Sequence, residues 1–242
     1  MRLQAAAILA LLAAACSTGG NQTAGEARPE YSPHDATMRE LLGPVRVCRV
    51  TEYDVSRDDG LWNFDSLHPA ADYTLAFSPG GNITSDELYI YRYGDRGELT
   101  SARSVDFPGT FGHIGRDSQG RVTEIVNKNQ LAPEGDWRRT VIWNGDGQVA
   151  AVSTEYVGWS DSYTYNYDQN GRLARASYYF QEGANVARQE ITYHYPEGCS
   201  DSLGNWTMRQ VTAEHSETGN SADFRNGRRD FHTVEKRKIT YY

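Results

Sequence analysis

One short pattern recurs six times between Phe77 and Trp206 of this 242-residue chain: strand residues, a tight polar turn that closes on glycine, and an apolar residue two positions later. The glycines and the apolar residues that follow them are Gly81 and Ile83, Gly97 and Leu99, Gly120 and Val122, Gly147 and Val149, Gly171 and Leu173, and Gly204 and Trp206. Neighbouring copies lie 16 to 33 residues apart, which is too irregular for a solenoid and natural for β-hairpins whose outer loops differ in length. The repeat predicts consecutive hairpins, and it identifies neither a substrate nor a reaction.

The strands before these turns alternate between aromatic or apolar residues and polar ones. One face carries Tyr89, Tyr91 and Tyr93, then Tyr163, Tyr165 and Tyr167, then Ile191, Tyr193 and Tyr195. A period of two with one apolar side is typical of an antiparallel sheet with water on its other face. Twist accumulates over many strands, and a tyrosine face of this size is too large to stay exposed on a soluble monomer. We therefore predict an all-β fold in which the hairpins form one long twisted sheet, curled toward a barrel or half-barrel, with a short N-terminal helix over residues 35–42.

The N-terminus has the features of a bacterial lipoprotein signal. Arg2 supplies a positive charge, residues 3–15 form an apolar stretch, and Cys16 follows three alanines. The stretch is too short to span a bilayer, which needs about 20 residues, and it fits a cleaved signal peptide. Small residues directly before Cys16 resemble a lipobox, in which the cysteine is lipidated and becomes the new N-terminus. An ordinary secretory signal cleaved after Ala15 is the alternative.

This signal gives the predicted domain organisation. Residues 1–15 are a lipoprotein signal peptide, residues 16–34 are the lipidated cysteine and a flexible tether, and residues 35–242 are the hairpin-repeat domain. The acyl chains would hold the protein at a membrane, each buried methylene contributing about 0.8 kcal/mol. Ser17 after the lipidated cysteine is similar to lipoproteins sent to the outer membrane, so we predict a lipid-anchored protein of the cell envelope, on either face of the outer membrane.

One copy of the repeat, YDQNGRL at residues 167–173, resembles in full the YD repeat of RHS-type proteins. The other copies are degenerate: Arg121 keeps the arginine, Tyr93 and Trp143 keep the aromatic residue, and Gly94 and Asn144 replace the aspartate. Residues 201–207 and 239–242 are similar to small YD-repeat lipoproteins of Bacteroidetes-type bacteria. The resemblance covers about residues 43–242. It implies β-hairpin repeats and no particular activity, because such lipoproteins are mostly uncharacterised.

Charge and motif content narrow the function classes. A formal net charge of −8 argues against nucleic acid and against broad adhesion to anionic lipid, since both need clustered lysine and arginine. The one basic run, residues 236–238, is predicted to guard a sheet edge. The six histidines are scattered, with no two at metal-ligand spacing, and no catalytic motif is present. We predict no catalytic residue, no metal and no cofactor.

The two cysteines after Cys16 are Cys48 and Cys199. A bond between them would close a long loop and stabilise the fold by about 4 to 5 kcal/mol in the chain-entropy model. The sequence does not show that the two residues meet. A disulfide and two separate buried thiols are both open.

A repeated scaffold without an acid–base or metal cluster favours a binding function, and aromatic residues outside the strand ladder are the candidate binding residues. Trp62 and Phe64 lie in an early loop, and Tyr156 and Trp159 lie between repeats, where loops on a rigid scaffold often carry binding sites. We predict a membrane-anchored, non-catalytic β-repeat lipoprotein that binds or assembles with an envelope protein or glycan. The alternative is an envelope hydrolase that acts on glycan or peptide through loop carboxylates, namely Asp58, Asp59 and Asp65 beside Trp62.

Overall fold

The computed structural model describes residues 34–58, 61–86, 89–94, 99–105, 110–129, 135–220 and 227–242. The predicted signal peptide, Cys16 and the tether up to residue 33 lie outside the described residues, as does Gly97. The described elements are α1 His34–Thr37, β1 Val45–Asp58, β2 Leu61–Phe64, β3 Ala71–Phe77, β4 Ile83–Ser85, β5 Tyr89–Tyr93, β6 Leu99–Ser104, β7 Thr110–Arg116, β8 Val122–Asn129, β9 Trp137–Trp143, β10 Val149–Tyr156, β11 Ser160–Tyr167, β12 Leu173–Glu182, β13 Asn185–His194, β14 Met208–Thr218 and β15 Gly227–Tyr241.

The strands form one antiparallel sheet that closes into a barrel. Strands β3 to β15 pair in sequence order, β3 pairs with β1, and β15 returns to pair with β1. The closing pair runs from Val45 beside Tyr241 to Asp54 beside Thr233. All strands except β2 belong to this ring of fourteen, and β2 forms a hairpin on the far half of β1. The predicted all-β sheet of hairpins is confirmed, and its curling goes to full closure.

The connections divide between the two ends of the barrel. The turn end holds the glycine turns at residues 78–82, 117–121, 144–148, 168–172 and 201–205. The mouth is the opposite end, with the connections at residues 157–159 and 183–184. The predicted covered face is the inner face: Tyr91, Tyr165 and Tyr193 keep 6%, 8% and 6% of their surface exposed.

The repeat turns at residues 117–121, 144–148, 168–172 and 201–205 are built by the same hydrogen bonds. In the turn after β11, the side-chain oxygen of Asp168 accepts from the backbone N–H groups of Asn170 and Arg172, at 2.8 and 2.9 Å. The Gly171 N–H donates to the Asp168 carbonyl, and the glycine has φ of 76°, a conformation that glycine adopts without steric cost. The next residue but one, Leu173, is fully buried. The order of polar residue, glycine and apolar residue that repeats along the chain therefore corresponds to a turn followed by a buried core position.

Aromatic side chains tie successive repeats together. Trp143 donates its indole N–H to the carbonyl of Val122 at 2.7 Å. The Tyr167 hydroxyl donates to the carbonyl of Val149 at 2.8 Å, and the Tyr195 hydroxyl donates to that of Leu173 at 2.9 Å. In each case the acceptor is the apolar residue that follows the previous turn, so the aromatic position of the motif links one hairpin to the hairpin before it.

Residues 34–42 lie inside the turn end of the barrel, and we call them the plug. The Asp35 carboxylate accepts from the backbone N–H of Ile83 at 2.9 Å and from Arg116 at 2.8 Å. The helix ends at Thr37, earlier than predicted, because Glu40 takes the left-handed backbone conformation with φ of 52°. The plug covers the inner face from one end, so the curling of the sheet and this segment together hide the tyrosine face.

A buried group of charges fixes the plug. Arg209, 2% exposed, lies 2.7 Å from the Glu40 carboxylate and 2.8 Å from that of Glu235. Arg237 donates to the backbone carbonyls of Glu40 and Arg39 at 2.9 and 2.7 Å. The prediction that the basic run guards a sheet edge is wrong, because β15 is paired on both sides and its middle residue, Arg237, points inward to the plug.

The outer wall is polar. Its exposed positions include Arg138, Glu155, Arg175, Arg188, Glu190, Glu214 and Lys238. Large apolar side chains on this wall, such as Ile90 and Ile142, are exposed by 40% and 55% and stand singly among polar neighbours. A wall that faces lipid tails carries a continuous apolar band about 25 Å tall. The described wall has the composition of a surface in contact with water.

Candidate functional site

An aromatic row lines the inner face at the mouth. Trp137 on β9 is paired in register with Tyr156 on β10, and their ring centroids are 6.3 Å apart. The Tyr156 ring stacks on Trp159 at 3.4 Å and 11°. Trp159 is followed by Phe180 on β12 at 5.5 Å. All four rings are half-buried, so part of each faces the open end.

A polar row runs directly beneath the aromatic row. Thr154 on β10 is paired in register with Arg139 on one side and with Asp161 on the other. The Arg139 Nε donates to the Thr154 hydroxyl at 3.1 Å. The Asp161 carboxyl also hydrogen-bonds with Thr154, so this wall places a guanidinium and a carboxylate on either side of one hydroxyl.

The two charges of this row are half-buried and are joined through the Thr154 hydroxyl. Burial raises the pKa of the Asp161 carboxyl, while a hydrogen bond with Thr154 and the charge of Arg139 act to lower it. The Arg139 guanidinium lies over the Trp137 ring at 5.2 Å. Within the described part of the chain, no carboxylate forms an ion pair with Arg139. The row therefore presents a donor cation and a partly desolvated acceptor to anything that enters the mouth.

A small cavity adjoins the polar row on the side of the plug. Its volume is about 40 Å³, and its lining includes Arg139, Trp137, Asp86 and Tyr89. The Asp86 carboxylate accepts from the Tyr91 hydroxyl at 3.1 Å and from the backbone N–H of Tyr89 at 2.8 Å. A polar space of this size suits ordered water and is too small for an organic ligand.

The four aromatic residues predicted from the sequence occupy two different places. Tyr156 and Trp159 belong to the mouth row. Phe64 packs on Tyr53 with centroids 5.1 Å apart, below the ammonium of Lys236 at 4.6 Å. Trp62 meets His232 edge-on at 5.5 Å. Trp62 and Phe64 thus pack where β2 meets the closing strands, and their ring contacts with His232 and Tyr53 are separate from the aromatic row.

Cys48 and Cys199 are free thiols in the structure. Cys48 is buried on β1, where burial raises the pKa of its thiol against the opposing charges of Arg237 and Arg39. Cys199 is half-buried in the connection after β13. Of the two alternatives for these residues, the structure contains the separate thiols.

The carboxylates of the hydrolase alternative are not gathered at the mouth. Asp65 lies on the exposed segment after β2 and pairs with His68 at 2.6 Å. Asp59 and the side chain of Asp58 lie outside the described residues. In the described ranges, no three His, Cys, Asp or Glu side chains are grouped as a metal ion would require.

Sequence reasoning missed five of the mouth residues: Trp137, Arg139, Thr154, Asp161 and Phe180. Each occupies an inward position of a strand, and only the register across β9 to β12 assembles them into rows. The signal that could have found them is the period of two continued outward from Val141 and Tyr163. Along both strands that period passes from core residues to charged or aromatic ones before the strand ends.

Comparison with known proteins gives no family. No family model and no curated protein matches the chain. Among solved structures, a porin-like protein from Bacteroides uniformis is similar over 82% of this chain and 98% of its own, with 10% identity and a TM-score of 0.42. A likeness of this degree carries no argument about function. None of the described helices is long and apolar enough to cross a membrane.

Proposed function

We propose that this chain is a membrane-anchored, non-catalytic binding lipoprotein of the bacterial cell envelope, and that it binds its ligand at the mouth of the barrel. The lipobox-like sequence at Cys16 and the resemblance to YD-repeat lipoproteins support the anchor and the location. The polar outer wall supports a barrel that stands in water beside the membrane and is held there by the tether.

The observation that carries the proposal is the contrast between the two ends. At the turn end the plug fills the interior, and its charges are paired with Arg209, Arg116 and Arg237. At the mouth, half-buried aromatic rings stand beside a guanidinium that reaches the Asp161 carboxyl only through the Thr154 hydroxyl. Arg139 and Asp161 are half-buried at an open end, so both remain able to hydrogen-bond with a ligand there, and this points to binding.

Site-specific photocross-linking tests binding at the mouth. A photoreactive phenylalanine analogue replaces Trp159, and in a matched control it replaces Tyr179, whose side chain lies on the outer face of β12. Irradiation of intact cells should give an envelope adduct from position 159 and none from position 179. Absence of an adduct at position 159, or equal adducts at both positions, would contradict the proposal.

Cell fractionation tests the anchor separately. Cys16→Ala removes the lipidated side chain and should move the protein from the membrane fraction to the soluble fraction. Ser17→Ala, which leaves the cysteine in place, is the control and should remain with membranes. If the Cys16→Ala protein stays with membranes, the anchor is wrong.

The hydrolase alternative now rests on Asp161, since burial raises the pKa of this carboxyl as a general acid requires. Wild-type protein incubated with isolated envelope material should release no reducing ends and no new amino termini. Release by the wild type that is lost in Asp161→Asn would replace binding with hydrolysis.

A further inference from the structure

We propose that the mouth binds a saccharide, with the aromatic row against the C–H faces of sugar rings and the polar row against their hydroxyls. The inference rests on the proposed binding function and names the class of ligand. It is carried by the position of the two rows, one above the other on β9 to β11, with Phe180 of β12 paired in register with Asp161.

The aromatic row is a continuous curved strip. Trp137 and Phe180 meet the stacked pair of Tyr156 and Trp159 at 45° and 42°, so the four rings follow the curvature of the wall. Stacking occupies one face of Tyr156 and one face of Trp159. Aromatic rings combine a large apolar contact area with low conformational freedom, which suits a ligand that offers flat apolar surfaces.

The polar row excludes two other classes of ligand. A simple anion would be drawn to Arg139 but repelled by Asp161 when that carboxyl is ionised. A purely apolar ligand would bury both charged groups without giving them partners, which costs free energy. A ligand with apolar faces and a rim of hydroxyls satisfies both rows, because hydroxyls accept from the guanidinium and donate to the carboxylate.

Further hydrogen-bonding groups follow the wall two residues deeper than the polar row. Tyr163, Tyr178, Gln189 and His215 are paired in register across β11 to β14. The Gln189 amide lies 3.0 Å from the His215 Nδ1, and the His215 Nε2 lies 2.7 Å from Glu217. The wall is thus long enough across strands for several sugar units, so we infer an oligosaccharide rather than a monosaccharide.

An array of immobilised neutral, acidic and amino-sugar oligosaccharides, probed with the intact detergent-solubilised protein, tests the ligand class. We expect binding to at least one of these classes. Trp159→Ala and the isosteric Asp161→Asn should each weaken that binding at least tenfold. Tyr179→Ala, on the outer face of β12, is the matched control and should bind as the wild type does.

Phe180→Leu guards against a folding defect in the first variants, since it keeps an apolar side chain and removes the ring. It should melt within a few degrees of the wild type and still lose most of the glycan binding. Failure to bind any glycan, or binding that survives all three mouth substitutions, would overturn the saccharide assignment. If a protein is cross-linked at position 159 and no glycan on the array is bound, the proposed binding function stands and the saccharide assignment is wrong. If there is neither a cross-link nor glycan binding, both proposals are wrong.

Discussion

At the residue scale, a single glycine per turn carries a backbone conformation that side chains resist. Gly171 and Gly147 both have φ of 76°, and a Cβ at Gly147 would meet no atom within 4 Å. Crowding is therefore absent at Gly147, and backbone strain is the only penalty there. This separates the conformational cost of a substitution from any packing cost.

We expect Gly171→Val and Gly147→Val each to lower the free energy of unfolding by about 1 to 3 kcal/mol, as strained backbone sites do. Gly145→Ala is the control, since Gly145 has no positive φ and open space around its Cα. Chemical denaturation measures the three variants. Unchanged stability in both valine variants would remove the turn assignment.

Tyrosine at an inward position belongs to the core of this barrel. Tyr165 is 8% exposed, whereas its neighbour Thr164 is exposed on the outer wall. Tyr165→Ser should cost about 2 kcal/mol or more, as large core truncations do, and Thr164→Ser should be nearly neutral. Thermal melting of the two variants checks this. A stable Tyr165→Ser protein that fails to bind glycan would make the ring part of the recognition surface instead.

At the scale of the element, the aromatic residue before each turn has a defined task. In Tyr167→Phe the carbonyl of Val149 loses its hydroxyl partner, which should cost about 1 kcal/mol. Tyr179→Phe also removes a hydroxyl, but one that is exposed and donates to Gln181, so its stability should not change. Equal effects in the two variants, measured by urea unfolding, would show that the tie between repeats contributes nothing.

The hairpins themselves could be predicted from the sequence, and their ties could not. The turn residues act locally, so the order of aspartate, glycine and leucine in residues 168–173 is readable without a structure. The acceptor of the Tyr167 hydroxyl lies 18 positions earlier, and only strand register decides which carbonyl it reaches. The mouth residues Arg139 and Asp161 were missed for the same reason, since nothing within its own strand distinguishes either of them from other polar residues.

At the scale of the whole molecule, two long-range features complete the fold. The plug brings Glu40 to Arg209 across 169 positions of the chain, and β15 returns to β1. Curling could be predicted from twist and from the size of the tyrosine face. The entry of the plug into the barrel could not, because it depends on buried ion pairs whose partners lie on distant strands.

The closure of β15 on β1 determines what is inside and what is outside, so it underlies the plug, the polar wall and the mouth. Cys48 on β1 is paired in register with Ile239 on β15. Antiparallel partners have Cα atoms about 4.5 to 5.5 Å apart, which is within the range of a disulfide. The natural thiol of Cys48 therefore offers a direct test with one substitution.

In Ile239→Cys, refolding under oxidising conditions, during which the Cys48 thiol is accessible, should produce a disulfide within one molecule between Cys48 and the new thiol at position 239, identified by peptide mapping under non-reducing conditions. Cys48→Ser combined with Ile239→Cys is the control and should keep position 239 reduced. If the barrel is closed, the bond forms in monomers and raises the melting temperature. A folded Ile239→Cys protein whose two thiols both stay free, or which forms only bonds between molecules, would contradict a closed barrel.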